Sequence, residues 1–277
     1  MTPADHPDLP PLRDVIRRHG LRAKKSFSQN FLLDLNLTGR IARAAGALRG
    51  FNVIEIGPGP GGLTRALLAE GAERVIAVEH DPRCVEALGE LTAVYGERLQ
   101  VIEADALQTR PQDLASAPIK IVANLPYNIS TPLLISWLRD LDGIQAMTLM
   151  FQREVADRLA ARPRTKAYGR LSVITQWLCE VQPQFNLPKD AFTPPPKVMS
   201  TVVNLTPRPT PVADAEFAAL EAVTQAAFGQ RRKMLRASLK ALGLDLSAAG
   251  VPETARAEEL TPEQFCALAR QHHAASA

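Results

Sequence analysis

Cysteine is scarce in this sequence: Cys84, Cys179 and Cys266 lie about ninety residues apart, with no C-x-x-C pair. That argues against a disulfide scaffold or a zinc ribbon and fits a reducing compartment. The five histidines (His6, His19, His80, His272, His273) show no metal-ligand spacing, so no metal is expected. The last two sit in a tail expected to fray. Long apolar runs are missing too. Stretches such as Ile119 to Leu125 are far short of a bilayer span, so no membrane segment is expected. Residues Met1 to Pro11, rich in Pro and Asp, carry no apolar signal-peptide core, and a cytoplasmic protein is expected. No internal repeat, low-complexity tract or oligomer seam is visible, and the chain reads as a monomer.

What is present is a core-forming composition. Of 277 residues 46% are hydrophobic and 22% charged, which excludes a disordered chain and allows one large domain with a smaller one. The net charge is only +3, but the basic residues are clustered. One cluster is Arg13, Arg17, Arg18, Arg22, Lys24 and Lys25; a second is Arg231, Arg232, Lys233, Arg236 and Lys240; a third is Arg158, Arg162, Arg164, Lys166 and Arg170. By composition alone these are either solvated faces or the footprint of an anionic partner, nucleic acid first.

From Phe51 onward, short β-rich runs alternate with helical patterns. Strands are expected at Asn52–Ile56, Arg74–Glu79, Leu99–Glu103, Ile119–Asn124 and Ala146–Phe151, with helices at Leu63–Glu70, from Pro82, and at Pro132–Leu138. This rhythm means crossover units and a mainly parallel sheet. Helices at Glu154–Ala161 and Leu171–Leu178 and strands at Val181–Phe185 and Ser200–Leu205 follow. Thr206–Pro211 reads as a stiff linker. Beyond it the pattern is helical: a helix capped by Asp214 and reaching Phe228, another with Leu235, Leu239 and Leu242 on one face and Gly243 at its end, and a capping box at Thr261–Gln264. The domains are read as 1–208, α/β, and 212–277, small and all-helical.

The sharpest local signal is Glu55-Ile-Gly-Pro-Gly-Pro-Gly-Gly62, which follows a strand and opens a helix. Gly57, Gly59 and Gly62 match G-x-G-x-x-G, and Glu79 stands 22 residues after Gly57 at the end of the next strand, where a carboxylate can accept ribose hydroxyls. That feature serves NAD and S-adenosylmethionine alike. Two observations favour the second. Pro58 and Pro60 delete backbone N–H groups that a pyrophosphate would need. Asp105, after the third strand, can accept the exocyclic amine of an adenine. Asp105 read alone is equally a turn former or helix cap.

Asn124-Leu-Pro-Tyr127 follows the fourth strand. An adenine N6 is a poor nucleophile because its lone pair is delocalised into the ring. An Asn124 oxygen and a carbonyl of Leu125 or Pro126 can accept its hydrogens and aim the lone pair at a methyl group. Tyr127 offers a ring face to the base. Read in isolation, this is an ordinary Asn-x-Pro turn. With the glycine turn, Glu79 and Asp105 before it, it resembles the catalytic turn of the amino-methyltransferases.

The resemblance narrows further. Ser28-Gln-Asn-Phe-Leu32, Asn124-Leu-Pro-Tyr-Asn-Ile-Ser-Thr-Pro132, Phe151-Gln-Arg-Glu-Val-Ala156, Tyr168-Gly-Arg-Leu-Ser-Val173, Phe192-Thr-Pro-Pro-Pro-Lys-Val198 and Phe228-Gly-Gln-Arg-Arg-Lys-Met-Leu235 together resemble the ribosomal RNA adenine dimethyltransferases, in order and over nearly the whole chain. The resemblance implies a Rossmann-like S-adenosylmethionine-dependent methyltransferase sheet with a small C-terminal helical domain. It implies N6,N6-dimethylation of two adjacent adenosines in a 3′-terminal hairpin loop of small-subunit (16S) rRNA, with the small ribosomal subunit as partner. Carried over residue by residue, it implies cofactor contacts at Gln29, Asn30, Leu32, Gly57, Gly59, Glu79, Asp105, Ala106 and Asn124. Asn124, Leu125, Pro126 and Tyr127 form the catalytic turn, and Phe192 matches an aromatic that stacks on the flipped base, although Phe192 also reads as a core residue. Lys24, Lys25, Arg231, Arg232, Lys233 and Arg236 are candidates for RNA phosphates, with Arg232, Arg236 and Lys240 on one helical face. One departure is Arg162-Pro-Arg-Thr165, where members commonly have Pro-Gly-Ser, in a surface loop. Alternatives are a large-subunit adenine methyltransferase of the macrolide-resistance type, a non-catalytic assembly or transcription factor, and an NAD oxidoreductase.

Overall fold

The computed structural model describes residues 9–21 and 30–276. Contacts divide the chain into two units, 1–153 with 183–206, and 154–182 with 207–277. The segment 154–182, expected within the α/β domain, thus belongs with the helical C-terminal part.

The first unit opens with α1 (Leu12–Arg18), the short β1 (Phe31–Leu32) and α2 (Leu35–Ala44). The repeating part then runs β2 (Asn52–Ile56), α3 (Gly62–Ala69), β3 (Arg74–Glu79), α4 (Pro82–Tyr95), β4 (Leu99–Glu103), α5 (Pro111–Leu114), β5 (Ile119–Asn124), α6 (Tyr127–Leu138) and β6 (Ile144–Gln152). After α7 (Arg153–Leu159) and α8 (Arg170–Leu178) come β7 (Cys179–Leu187), β8 (Phe192–Thr193) and β9 (Ser200–Pro207). The sheet order is β4-β3-β2-β5-β6-β9-β7. The first five of these strands are parallel, and β9 runs antiparallel to β6. β1 and β8 form a separate antiparallel pair, with Leu32 opposite Phe192.

The central strands are nearly continuous apolar runs because helices cover both faces of a parallel sheet. Val53, Ile54, Val75, Ile76, Ile121 and Val122 are fully enclosed. Lys120 breaks the run of β5 and is still buried. Its ammonium donates to the carbonyls of Ala45 and Ala47, at 2.8 and 2.7 Å, and lies 4.4 Å from the centre of the Phe51 ring. It thereby satisfies carbonyls at the C-terminal end of α2. Asp34 caps α2, and Asp81 caps α4 with Pro82 at the first helical position.

The second unit packs α7 and α8 with α9 (Phe217–Gly229), α10 (Leu235–Ser238) and α11 (Pro262–Ser276). Tyr168, Val173, Trp177, Leu220, Val223, Leu235 and Phe265 are at the centre of its own core.

Several local expectations need correction. α6 begins at Tyr127, five residues before Pro132, so the proline lies inside the helix and removes the N–H that would bond the Asn128 carbonyl. The cap of α9 is Glu216, whose carboxylate accepts the Ala219 N–H at 2.7 Å, rather than Asp214. The helix expected through Leu235, Leu239 and Leu242 is one four-residue turn followed by a 3-10 turn at 240–242, so Arg232, Arg236 and Lys240 share no helical face. His272 and His273 lie within α11 rather than in a frayed tail. The capping box forms: Thr261 N–H donates to Gln264, and Gln264 N–H to the Thr261 hydroxyl.

Candidate functional site

Four strands of the first unit deliver their carboxyl ends to one place. After β2 the chain turns through Gly57 to Gly61, after β3 it presents Glu79, after β4 Asp105, and after β5 Asn124. Ligands of open α/β sheets bind at such ends. Here the ends surround a cavity of about 260 Å³, whose wall includes Asn30, Leu32, Gly57, Gly59, Glu79, Asp105, Ala106 and the turn Asn124–Tyr127. Sequence separation therefore hides one contiguous group. Gln29, Lys24 and Lys25 lie outside the described residues.

The glycine turn is shaped by its missing side chains. Gly59 has φ +55°, and a Cβ there would stand 3.1 Å from the Phe31 ring; Gly62 has no room because a Cβ would meet the Leu32 carbonyl oxygen at 2.9 Å. Its N–H groups are already engaged: Gly57 donates to Val78 O (2.9 Å), Gly59 to Glu79 Oε2 (3.0 Å) and Gly61 to Pro58 O (3.0 Å). With Pro58 and Pro60 carrying no N–H, the turn offers little to a pyrophosphate. The wall carries Glu55, Glu79, Asp81 and Asp105, and no Lys or Arg among the described residues. Such a wall of carboxyl oxygens with no Lys or Arg suits a cationic sulfonium ligand and opposes an anionic dinucleotide, even with Asp81 paired to Arg83.

Glu79 is held from three sides. Its Oε1 accepts the N–H groups of His80 and Asp81, both at 2.8 Å, and its Oε2 that of Gly59. Burial pushes its carboxyl above the usual range, while the three backbone donors pull it back. Asp81 is committed elsewhere: it caps α4 and pairs with Arg83 at 2.6 Å. Asp105 is exposed and accepts the Leu107 N–H at 2.9 Å, so the capping role holds, with one of its two oxygens. Asn124 directs its amide nitrogen toward the Asn30 carbonyl over a long 3.5 Å, which turns its oxygen the other way. The Pro126 carbonyl accepts the Ile129 N–H at 3.1 Å.

Phe192 is placed differently from its expected role. It is 2% exposed, sits in β8 against Leu32, and belongs to the main core of the first unit rather than to the cavity wall. A covered ring has no free face for a base, so in this arrangement the core reading describes it.

Two residues went unassigned in the sequence. Glu55 lines the cavity, is 1% exposed, and accepts the Thr64 hydroxyl at 2.6 Å. Burial, with a smaller push from Glu79, raises its carboxyl to about 8 against the pull of Thr64. The signal was available: a carboxylate in an otherwise apolar strand. Ser200, fully buried at the start of β9, pairs with the Tyr127 hydroxyl at 2.6 Å. The two are 73 positions apart in sequence, and no local pattern announces the pair.

In the second unit, Arg232, Lys233 and Arg236 are exposed. Arg236 and Lys240 border a second hollow of about 300 Å³ that also contains Asp245 and Glu253. Arg231 is committed: its Nε donates to Glu258 at 2.8 Å and its terminal nitrogen to the Thr165 carbonyl at 3.2 Å. Among the described residues no group of three or more His, Cys, Asp or Glu is placed to hold a metal, and no helix is long and apolar enough to cross a membrane.

Comparison with known proteins agrees with this geometry. The family model described as ribosomal RNA adenine dimethylase matches residues 20–273. The chain is 62% identical over 277 residues to the ribosomal RNA small subunit methyltransferase A of Rhodospirillum rubrum, covering 99% of this chain and 96% of that one. It is also 62% identical to the protein of the same name from Paramagnetospirillum magneticum, over 95% of each. Among solved structures it resembles a dimethyladenosine transferase from Plasmodium falciparum (TM-score 0.73, 26% identity, 88% of this chain and 97% of that one). It also resembles the 23S rRNA methyltransferase ErmE (TM-score 0.66, 31% identity, 88% and 100%).

Proposed function

This chain belongs to the ribosomal RNA adenine dimethylase family, and from that membership we propose that it dimethylates N6 of two adjacent adenosines in the 3′-terminal hairpin loop of 16S rRNA, acting on the small ribosomal subunit as a cytoplasmic monomer. The observation that carries the reading is the convergence of Gly57, Gly59, Glu79, Asp105 and Asn124–Tyr127 on one acidic cavity. Relatives from 62% down to 55% identity bear the small-subunit name, which disfavours a large-subunit target.

S-adenosylmethionine, when bound, supplies a methyl group activated by its sulfonium charge. Glu79 is the candidate to hold the ribose hydroxyls, its carboxylate already aimed by three backbone donors. Asp105 would accept the adenine amine with the oxygen left over from its cap, and Ala106 borders the same cavity. Asn30 and Leu32 border the same cavity, and Gly57 and Gly59 let the backbone come close. Asn124 and a carbonyl of the turn accept the two hydrogens of the target N6, so the nitrogen lone pair is freed and directed. Because the Pro126 carbonyl already takes the Ile129 N–H, the Leu125 carbonyl is the better second acceptor. Tyr127 provides the face on which the extruded base stacks. No general base is required: the methylated ammonium is acidic and loses its proton to water.

The division proposed for this function is a catalytic part made of 1–153 with 183–206 and an RNA-binding helical part made of 154–182 with 207–277. Arg232, Lys233 and Arg236, with Lys24 and Lys25, are the proposed phosphate contacts.

The test is transfer from labelled S-adenosylmethionine to unmodified small subunits, with large subunits alongside, followed by nucleoside mass analysis. Dimethyladenosine on small subunits alone is expected. Label on large subunits would overturn the substrate assignment, and RNA binding without transfer would leave an assembly or transcription factor.

A further inference from the structure

Three stretches that are distant in sequence meet in the second unit. The loop 162–166 carries Arg162, Arg164 and Lys166, all exposed. The turn 231–233 follows α9 and carries Arg231, Arg232 and Lys233. Glu258 joins them. Its side chain accepts Arg231 Nε at 2.8 Å, and its carbonyl accepts the Arg164 N–H at 2.6 Å. Arg231 also donates to the Thr165 carbonyl, so one guanidinium grips the loop and the carboxylate together.

This arrangement divides the cations into two kinds. Arg231 is half-buried and commits its Nε and one terminal nitrogen to protein. Arg162, Arg164, Lys166, Arg232 and Lys233 are exposed, and Glu258, which joins the two stretches, is already paired with Arg231. Glu259, beside it, accepts the Arg256 N–H, and Arg158 pairs with Glu154. Arg164 has φ +69°, the one positive-φ non-glycine residue among the described residues, and its N–H bond to Glu258 holds it there. Like-charged side chains gathered on a pinned loop repel one another, and an anion relieves that repulsion.

Resting on the RNA-methyltransferase reading, we propose that the loop 162–166 is a second RNA-backbone contact, forming one phosphate-binding surface with Arg232 and Lys233, and that Arg231 fastens the loop rather than binding phosphate. Several separated cations suit successive phosphates of a folded RNA. Neither the loop nor the turn 231–233 carries an aromatic side chain, so the surface grips the backbone and leaves base identity unread.

The experiment measures binding of an unmodified transcript of the 3′-terminal small-subunit hairpin, of protein-free 16S rRNA, and of unmodified small subunits, across a salt series. The variant combines R162Q, R164G and K166Q; glycine suits the positive φ, and the other two sites are exposed, so the fold is retained. Each lost phosphate contact lowers the slope of log affinity against log salt by about 0.7–0.9. A slope reduction of about 2, roughly 10-fold to 100-fold weaker binding at low salt, and a raised KM for RNA with unchanged kcat are expected. R231M should weaken binding alone, and should add little when combined with the triple change, because both act through the same loop. R231K should restore binding in part, since lysine can reach one of the two acceptors. Full additivity would make Arg231 a direct phosphate ligand and overturn its assigned role. Unchanged affinity and slope in the triple variant, while the wild type transfers methyl groups normally, would overturn this surface and leave the activity intact. Loss on subunits, but on neither the transcript nor protein-free 16S rRNA, would assign the loop to a ribosomal protein and overturn the RNA partner. A wild type that neither binds nor methylates small subunits would overturn the underlying activity, and this surface with it.

Discussion

Replacing Glu55 by glutamine should stabilise the protein at high pH and hardly at all at low pH. Glu55 is enclosed at the carboxyl end of β2, and burial raises its carboxyl from 4.5 to about 8. Between those values the unfolded chain has released the proton and the folded chain keeps it. The unfolded state therefore binds fewer protons, and stability falls as pH rises through this window. Below 4.5 both states are protonated, and above 8 both are ionised, so the curve flattens at either end. The interval is about 3.5 units, or roughly 5 kcal/mol at about 1.4 kcal/mol per unit. Because the group is fully buried, solvent does not screen this away. A glutamine side chain in its place cannot titrate and keeps an oxygen to accept the Thr64 hydroxyl. The Glu55→Gln protein should match the wild type within about 1 kcal/mol near pH 5 and exceed it by roughly 4 kcal/mol near pH 8. With a shift of about 2–4 °C per kcal/mol for a chain of this size, that is roughly 10 °C in Tm. Thermal unfolding of the cofactor-free protein at intervals between about pH 5 and pH 8 measures it. An equal gain at both ends of that range would show that the effect is packing, and no gain at the upper end would show that Glu55 ionises freely in the folded state.

Asn124→Ala should leave S-adenosylmethionine and RNA affinities near wild type while kcat falls about 100-fold, the scale of removing one aligned acceptor or donor at a reacting centre; equilibrium binding beside single-turnover kinetics separates the two. Tyr127→Phe and Ser200→Ala each remove one end of the 2.6 Å bond between them. In a double-mutant cycle the second change should have little further effect on kcat, and independent losses would refute a shared role. Gly62→Ala drives a Cβ into the Leu32 carbonyl at 2.9 Å and should destabilise the fold by about 1–3 kcal/mol, read as a lower denaturation midpoint, with cofactor affinity reduced as well. Glu79→Gln keeps an acceptor for the backbone donors but withdraws the charge. It should weaken S-adenosylmethionine binding about 10-fold, and calorimetric affinity equal to wild type would contradict the ribose assignment.

The strand–helix rhythm was legible because parallel strands buried on both faces are written as nearly continuous apolar runs, and β2, β3 and β5 fall where that pattern predicts them, while the edge strand β4 keeps only a short apolar centre. The glycine turn, Glu79, Asp105 and the Asn124–Tyr127 turn were legible because each follows a strand end, and strand ends of a parallel sheet share one edge. Elements whose limits depend on packing were misjudged. The sequence places the start of α6 at Pro132, yet the chain already turns helical at Tyr127. The apolar spacing of Leu235, Leu239 and Leu242 suggests one helix for the second basic cluster, but the α-helix there spans only Leu235–Ser238, with a separate 3-10 turn at 240–242. Phe192 could be a stacking ring or a core residue on sequence, and its pairing with β1 covers it.

By itself, then, the sequence determined the order of strands and helices, the family, and the set of residues at the strand ends, since periodicity and motif spacing are local properties of the chain. Only the tertiary structure decided that 154–182 joins the C-terminal helices, that Ser200 reaches Tyr127, that burial raises the Glu55 carboxyl, and that Arg231 is held by Glu258. Each of these depends on what surrounds a side chain once distant segments have met, and burial and partnership of that kind are not encoded in any neighbouring stretch of residues.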